Sequence, residues 1–303
     1  MTPPQPETAE GRRIHRIVSA HEGTEGAGFR VQRPFPSFDL ARIDPFLLMD
    51  EMGPSDHGPS EAKGAPDHPH RGFETVTYML SGSFEHRDSQ GNHGILKAGD
   101  VQWMTAGAGV IHSEMPERSF FEKGGRLHGV QLWVNLPKKD KMTAPRYQDK
   151  PSKDIPVARS EDGKVTVKVI AGKALGVDAV VQTHTPMLYF HVVGQPGGKV
   201  TLPIPRDHQG FVYVIDGEAA VGSDRTTLRD AQLGVLTDDH DNLTMEVPPN
   251  ATRPFSGLVI AGIPLREPIF QYGPFVMTNP TEIQEAIRDF QLGRFGNIPA
   301  TVA

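Results

Sequence analysis

Apolar and polar residues alternate over short stretches along most of the chain, and turn residues separate these stretches. Near the amino terminus IHRIVSAHE alternates, and further on ETVTYML and RLHGVQLWVNL are rich in β-branched and aromatic residues. Gly-Ser, Ser-Gln-Gly-Asn and Ala-Gly-Asp lie between such stretches at close, regular spacing. This pattern predicts many short strands joined by tight turns, and hence an all-β fold.

A polar segment divides the chain into two halves. KKDKMTAPRYQDKPSKDIP is punctuated by proline and has no apolar periodicity, so residues 138–156 are predicted to be a linker. Short alternating stretches resume in KVTVKVIAGKA and continue to FSGLVIAGIPL. The expected domains are therefore residues 1–137 and residues 157–303.

The second half repeats features of the first. Residues 78–82 (YMLSG) align with residues 213–217 (YVIDG), so that two strands end in the same turn. The following strands come in a comparable order, which indicates a duplication. The alignment places Pro203 and Pro205 at the positions of His68 and His70, so the second half is expected to lack whatever site those histidines form.

One helix is predicted, close to the carboxyl terminus. In TEIQEAIRDFQLGRF the apolar residues fall at positions 283, 286, 287 and 290, which is the spacing of an amphipathic helix. The hydroxyl of Thr281 is the expected N-cap. The predicted architecture is thus two β domains and a short C-terminal helix.

Composition excludes several classes of function. The 303 residues include 37% hydrophobic ones, enough for a sizeable core, and no cysteine, which removes disulfides, thiolate ligands and cysteine nucleophiles. The formal net charge is −6 and no dense Lys/Arg block occurs, so direct nucleic-acid binding is not expected. No apolar run resembles a signal peptide or a membrane span, and a cytoplasmic, monomeric protein is expected.

Two pairs of potential ligands stand at a spacing of two residues. His68 and His70 form one pair, and His112 and Glu114 form the other. Because side chains at i and i+2 of a strand point the same way, each pair can direct both members into one interior. If the two strands face each other, three imidazoles and a carboxylate converge on a divalent metal ion, with iron favoured for oxygen chemistry and Mn, Ni, Cu or Zn also compatible.

Some residues near these pairs allow more than one interpretation. Glu74 could replace Glu114 as a ligand, could orient an imidazole, or could face water. Gly107 and Gly109 are expected to let the backbone approach the site, since glycine has no Cβ. The remaining histidines have no comparable spacing and are interpreted as surface residues or hydrogen-bonded core residues: His86, His93, His128, His184, His191, His208 and His240.

Three segments resemble the signature blocks of the pirin family of the cupin superfamily. They are HPHRGFETVTYMLSGSFEHRDSQGNHG, GDVQWMTAGAGVIHSEM and PIFQYGPFVMTNPTEIQEAIRDFQLGRFG, and the likeness extends over nearly the whole chain. The resemblance implies a bicupin of two cupin-type antiparallel β-barrels. It further implies that the C-terminal segment packs back against the first barrel, and that the second barrel holds no metal.

The resemblance also implies a site and a function. It implies that His68, His70, His112 and Glu114 bind one Fe(II), which decides between Glu74 and Glu114. It implies an enzyme similar to quercetin 2,3-dioxygenase that opens flavonols with O₂, and Glu114 would then be the catalytic base. The alternative is a redox-sensitive iron protein that binds a transcription factor or a metabolic enzyme, with the basic part of the linker as the docking surface.

Overall fold

The structure is a computed structural model, and it describes residues 10–299. The strands as far as Lys150 are β1 (Ile14–Ser19), β2 (His21–Glu25), β3 (Phe29–Phe35), β4 (Phe46–His57), β5 (Ala65–His70), β6 (Phe73–Ser81), β7 (Ser83–Asp88), β8 (His93–Lys97), β9 (Val101–Thr105), β10 (Val110–Pro116), β11 (Gly125–Asn135) and β12 (Arg146–Lys150). The later strands are β13 (Val157–Arg159), β14 (Val165–Ala171), β15 (Lys173–Ala174), β16 (Val177–Asp178), β17 (Met187–Gly194), β18 (Lys199–Pro203), β19 (Gln209–Asp216), β20 (Glu218–Val221), β21 (Thr226–Arg229), β22 (Gln232–Leu236), β23 (Asn242–Glu246), β24 (Phe255–Gly262), β25 (Phe270–Tyr272) and β26 (Phe275–Met277).

Helical structure in the described residues is confined to short elements. These are α1 (Arg118–Lys123), α2 (Pro280–Gln291) and two 3₁₀ turns, Lys138–Asp140 and Ser152–Asp154. The prediction of an all-β chain with a short helix near its carboxyl terminus is confirmed. None of these helices is long and apolar enough to cross a membrane.

The cap of α2 differs from the expected one. The N-cap is Asn279, whose side-chain oxygen accepts a hydrogen bond from the backbone N–H of Glu282. Thr281 lies inside the first turn. Pro280 explains the difference, because proline fits the first helical position, where no N–H is needed, and leaves the preceding residue to act as the cap.

The chain divides into two compact units, and the division differs from the expected boundaries at both ends. The first unit contains residues 21–154 and the described residues from 265 onwards, whereas the second unit contains the described residues up to 20 and residues 155–264. The predicted linker is not irregular throughout, since β12 within it pairs with β9. Both β1 and β12 are edge strands, and the unit that an edge strand joins depends on long-range pairing rather than on its own sequence.

Each unit contains a large, seven-stranded and a small, four-stranded antiparallel sheet, besides a two-stranded one (β25-β26 in the first unit, β15-β16 in the second). In the first unit the orders are β12-β9-β6-β11-β4-β3-β2 and β5-β10-β7-β8. In the second unit they are β1-β22-β19-β24-β17-β14-β13 and β18-β23-β20-β21. Strand for strand the two orders correspond, so that β5 matches β18 and β10 matches β23. This correspondence is what the duplication in the sequence predicts.

The aligned turns also agree in backbone conformation. Gly82 follows β6 and Gly217 follows β19, and both have a positive φ, +82° and +86° respectively. Residues with a side chain rarely adopt this conformation, which explains why the same turn ends in glycine in both halves. The second unit then fills its interior with apolar residues such as Val212, Val214 and Leu243.

Inside the first unit, the inner face of the large sheet is layered. One end carries an apolar cluster that includes Val31, Met52 and Met79. The neighbouring rung is polar and pairs Thr77 of β6 with Gln131 of β11. Because residues opposite each other on paired strands share a face of the sheet, both of these polar side chains face the same interior.

Candidate metal centre

The strands that carry the histidine pairs are neighbours in the small sheet of the first unit. Strands β5 and β10 pair antiparallel, with His112 opposite His68 and Val110 opposite His70. Residues 68, 70 and 112 therefore share one face of this sheet, as the spacing of two predicts. The alternation within each strand and the register between the strands together bring three imidazoles to one place.

The three imidazole rings form a tight group. The ring centroids lie 4.3 Å apart for His68 and His112, 4.8 Å for His68 and His70, and 4.9 Å for His70 and His112. One nitrogen from each ring can be chosen so that all three lie within 4.8 Å of one another, a spacing at which they could hold a metal ion. The residues that the structure describes contain no other such group of three His, Cys, Asp or Glu side chains.

Several ring nitrogens in this group lack a hydrogen-bond partner although they are buried. The unpartnered atoms are Nδ1 of His70 and both nitrogens of His112. Burial, followed by the charges of neighbouring histidines, lowers the pKa of both rings well below the usual value, so both are neutral near pH 7. A buried nitrogen without a partner costs about 1–3 kcal/mol, and a neutral imidazole is the form that binds metals.

Hydrogen bonds to backbone carbonyls orient two of the rings. Nδ1 of His68 lies 2.7 Å from the carbonyl oxygen of Pro66, which leaves Nε2 for a ligand. The His70 ring makes a hydrogen bond with the backbone of Pro274, on the segment that follows β25. A ring nitrogen that donates to a carbonyl fixes the tautomer and presents the other nitrogen to a metal.

Glu114 lies at the edge of the group, and the large sheet holds it. The pairing of β10 with β5 shifts register between His112 and Glu114, whereas its pairing with β7 stays regular, so Glu114 keeps the face of His112 and faces the opposite sheet. There the hydroxyl of Thr77 donates to Oε1 of Glu114 at 2.8 Å, while Nε2 of Gln131 lies 3.5 Å from Oε2. Burial raises the pKa of Glu114, and the charge of His68 and these hydrogen bonds oppose that rise.

Glu74 points to the other face of the large sheet. It is three positions from Thr77 on β6, an odd separation that places the two side chains on opposite faces, and the pairing of β6 with β9 is regular over this stretch. The Oε1 atom of Glu74 accepts a hydrogen bond from the hydroxyl of Thr105 at 2.7 Å. The position of Glu74 on the face away from Thr77 does not fit a metal ligand, and its exposure of 1% does not fit a residue in water.

The donor set fits a divalent transition metal. Three imidazoles and a nearby carboxylate suit Fe(II), Mn, Ni, Cu or Zn, and the buried unpartnered nitrogens would gain a partner when the ion binds. The histidine group could therefore hold a metal ion. That Glu114 completes the ligand set and that the ion is iron both remain predictions.

A cavity of about 590 Å³ opens beside the histidines. This size is typical of small-molecule sites. His68, His70 and Glu114 line it together with apolar side chains, among them Trp133. The remaining walls are formed by Glu25, Gly26, Phe29, Arg33, Pro36, Leu48, Asp50, Met52, Ala65, Pro66, Asp67, Phe84, Gln131, Gln271, Gly273 and Pro274.

The interpretation of His86 as a surface or hydrogen-bonded core residue is wrong. It is 1% exposed, and neither ring nitrogen has a hydrogen-bond partner. Its ring lies 5.5 Å from the His112 ring and 4.6 Å from the Tyr147 ring, and burial lowers its pKa to about 4. In the sequence, only the spacing of two between His86 and Asp88 indicates that His86 faces the interior. Its place opposite Glu114 depends on the register between β7 and β10, which the sequence does not show.

The two glycines before His112 do not serve close approach to the ligands. A Cβ on Gly107 would lie 2.1 Å from the carbonyl oxygen of Thr143, and one on Gly109 would lie 2.6 Å from the ring of Phe295. Both glycines also have a positive φ. They are needed because Thr143, in the segment just before β12, and Phe295, near the carboxyl terminus, lie against this turn and leave no room for a Cβ.

Comparison with known proteins agrees with this geometry. The family model described as Pirin matches residues 28–134, and the model described as the Pirin C-terminal cupin domain matches residues 189–296. The chain belongs to the pirin family. Its two units are therefore cupin domains, as the resemblance implied.

The relatives include proteins with two kinds of name. A pirin-like protein of Solanum lycopersicum is 42% identical over 285 residues, with 94% of this chain and 93% of the relative covered. A Pseudomonas aeruginosa protein, named provisionally as a quercetin 2,3-dioxygenase, is 43% identical over 272 residues, covering 89% and 93%. A crystal structure of quercetin 2,3-dioxygenase from Acinetobacter baumannii superposes with a TM-score of 0.87 at 38% identity, covering 95% and 99%.

Proposed function

We propose that the protein is an iron-dependent dioxygenase of the quercetin 2,3-dioxygenase type, which opens flavonols with O₂. The observation that carries the proposal is that His68 and His70, two members of the three-histidine group, line a cavity of substrate size. The dioxygenase names among the relatives support the same reaction class. In this proposal His68, His70, His112 and Glu114 hold the ion.

The side chains of the cavity have separate tasks in this reaction. A bound metal ion supplies Lewis-acid and redox chemistry, lowering the pKa of a coordinated hydroxyl. Phe29, Leu48 and Trp133 give the cavity apolar walls, against which a flat aromatic substrate can pack while water is excluded.

Glu114 is the proposed base for the flavonol hydroxyl. Its Oε1 atom is committed to the Thr77 hydroxyl, whereas Oε2 has only the distant amide of Gln131. Oε2 is therefore the atom that would take the proton, and Oε1 keeps a second lone pair with which it could bind the ion. Burial raises the pKa of Glu114, which makes its ionised form a stronger base.

The alternative, a redox-sensitive binding protein, fits the cavity less well. That function calls for an exposed docking surface and has no need of a substrate-sized cavity. The proposed docking surface, the basic segment at 138–150, forms a 3₁₀ turn and strand β12, and one of its lysines, Lys141, is buried. The enzyme hypothesis accounts for both the histidine group and the cavity of the first unit. Its partners are a flavonol and O₂.

The test is oxygen consumption by iron-loaded protein with quercetin. We expect uptake by the wild type and by His208→Ala, which alters the second unit, and a large loss in Glu114→Gln. Iron content is measured in each preparation, so that a lost ion is distinguished from a lost base. Absence of uptake by fully loaded wild type, at quercetin concentrations where binding is demonstrated, refutes the proposal.

A further inference from the structure

We propose that Glu25, Arg33 and Asp50 form a recognition subsite for hydroxyl groups at the end of the substrate remote from the metal. These three residues are called the acid–arginine cluster below. All three line the same cavity as the histidine group. The inference rests on the proposed function and specifies its substrate class: an uncharged polyphenol, with acids disfavoured.

The cluster is the continuation of a polar rung that crosses the large sheet. Strand register places Thr77 opposite Gln131, and Gln131 opposite Asp50. Asp50 then binds Arg33 on the next strand, β3. Since paired residues share a face, this rung runs along the inner wall from the residue that holds Glu114 to the acid–arginine cluster.

Hydrogen bonds preorganise the cluster. Nε of Arg33 donates to Oδ1 of Asp50 at 2.7 Å, and one terminal nitrogen donates to Oδ2 of Asp50 and to Oε1 of Glu25. The fork geometry fixes the Asp50 carboxylate, whose side chain is only 6% exposed. A rigid acceptor loses little entropy when a ligand hydroxyl binds to it.

The cluster has acceptor capacity left for a ligand. Each ionised carboxylate offers about four lone-pair sites, and Arg33 uses three sites over the two carboxylates. Phenolic hydroxyls are good donors to carboxylates and carry no charge. Two carboxylates beside one guanidinium leave a net negative charge, which repels a substrate carboxylate or phosphate at this end of the cavity.

The span between the two ends suits a chelating aromatic of two or three rings. Neighbouring strands are about 4.8 Å apart, so the two intervals from Thr77 to Asp50 amount to about 10 Å. Leu48 and Trp133 occupy the adjacent rung, where they stand opposite each other. A flat ring system packed on these side chains can place one end at the histidines and hydroxyls of the other end at Asp50 and Glu25.

The experiment measures binding rather than turnover. The equilibrium affinity of iron-loaded protein is determined anaerobically for quercetin, for galangin, which lacks the pendant-ring hydroxyls, and for a flavonol carrying a carboxylate on that ring. The variants are Asp50→Asn, Glu25→Gln and, as a control carboxylate on the same strand β4 but outside the cavity wall, Asp56→Asn. Oxygen uptake is recorded separately.

We expect wild type and Asp56→Asn to bind quercetin at least about 10-fold more tightly than galangin, and the carboxylated analogue most weakly. Asp50→Asn and Glu25→Gln should each reduce the quercetin preference to a few-fold. If Asp50→Asn does not fold, Glu25→Gln decides, since its side chain is 43% exposed.

Equal affinity of the wild type for quercetin and galangin overturns the subsite, as does failure to bind either. A preference that both folded variants retain overturns its assignment to the acid–arginine cluster. If the preference is present and cluster-dependent but no oxygen is consumed, the subsite stands and the proposed dioxygenase function fails.

Discussion

Replacement of Thr77 by valine tests whether Glu114 is a metal ligand. Valine has nearly the shape of threonine but lacks the hydroxyl that donates to Oε1 of Glu114 at 2.8 Å. That hydroxyl also lies 2.8 Å from Oε1 of Gln131, and its single hydrogen can serve only one acceptor at a time. The charged carboxylate is the stronger acceptor, so we expect the hydrogen to be on the Glu114 side.

The magnitude follows from the hydrogen bond that is lost. A hydrogen bond to a charged group contributes about 1.5–3 kcal/mol, and removing a residue that orients a metal ligand lowers affinity about 10- to 100-fold. Thr77→Val should therefore weaken metal binding by that factor, and Thr77→Ser should restore it. The assay is competition for the ion with a chelator of known affinity.

The matched control is Thr105→Val. It removes a buried hydroxyl that donates to Glu74 at 2.7 Å, a bond of the same kind on the opposite face of the same sheet. Both valine variants should lose similar stability, but only Thr77→Val should lose metal affinity. Equal metal affinity in the two variants would refute the role of Glu114 as a ligand held by Thr77.

Three further outcomes are expected. His70→Ala should purify without metal and His208→Ala with it, as measured by elemental analysis. Equal metal contents in the two variants would show that the site has been assigned to the wrong unit. A chelator should reduce amide-exchange protection around residues 66–82 and leave residues 210–260 nearly unchanged, since a ligand stabilises the part that binds it; equal loss in both would contradict this. Burial lowers the pKa of Lys141 to about 8, below the unfolded value of about 10.4, so the unfolded state binds more protons between these values. Unfolding titrations should then show wild type gaining up to about 3 kcal/mol over Lys141→Met as pH rises through that window, and a flat difference would refute the shift.

The histidine group was predictable because it depends on local periodicity. Alternation within a strand makes His68 and His70 neighbours on one face whatever the rest of the fold does. The same rule places Glu114 on the face of His112, although the register with β5 shifts between these two residues. Thr77, which holds the carboxylate, could not be predicted, because its place opposite Glu114 follows from the stacking of two sheets.

The acid–arginine cluster could not be predicted from the sequence either. Glu25, Arg33 and Asp50 come from three strands, and nothing in their spacing distinguishes them from charged residues on a surface. Their meeting is set by the order of strands in the large sheet. The hairpin between β2 and β3 is local, but the pairing of β3 with β4 spans residues 36–45 and shifts register, so the sequence read by itself does not fix it.

The segment after residue 264 helps to orient the metal site, although it lies far from the histidine motif in the sequence. The carbonyl groups of Gly72 and Val276 both accept hydrogen bonds from the buried Nζ of Lys141, which ties the turn after His70 to strand β26. The backbone of Pro274 contacts the His70 ring itself. The orientation of a ligand encoded near residue 70 therefore depends on a segment some two hundred residues later in the chain. The duplication copied the sheets, but the residues after 264 belong to the first unit only, and it is this unit that has the histidines to orient.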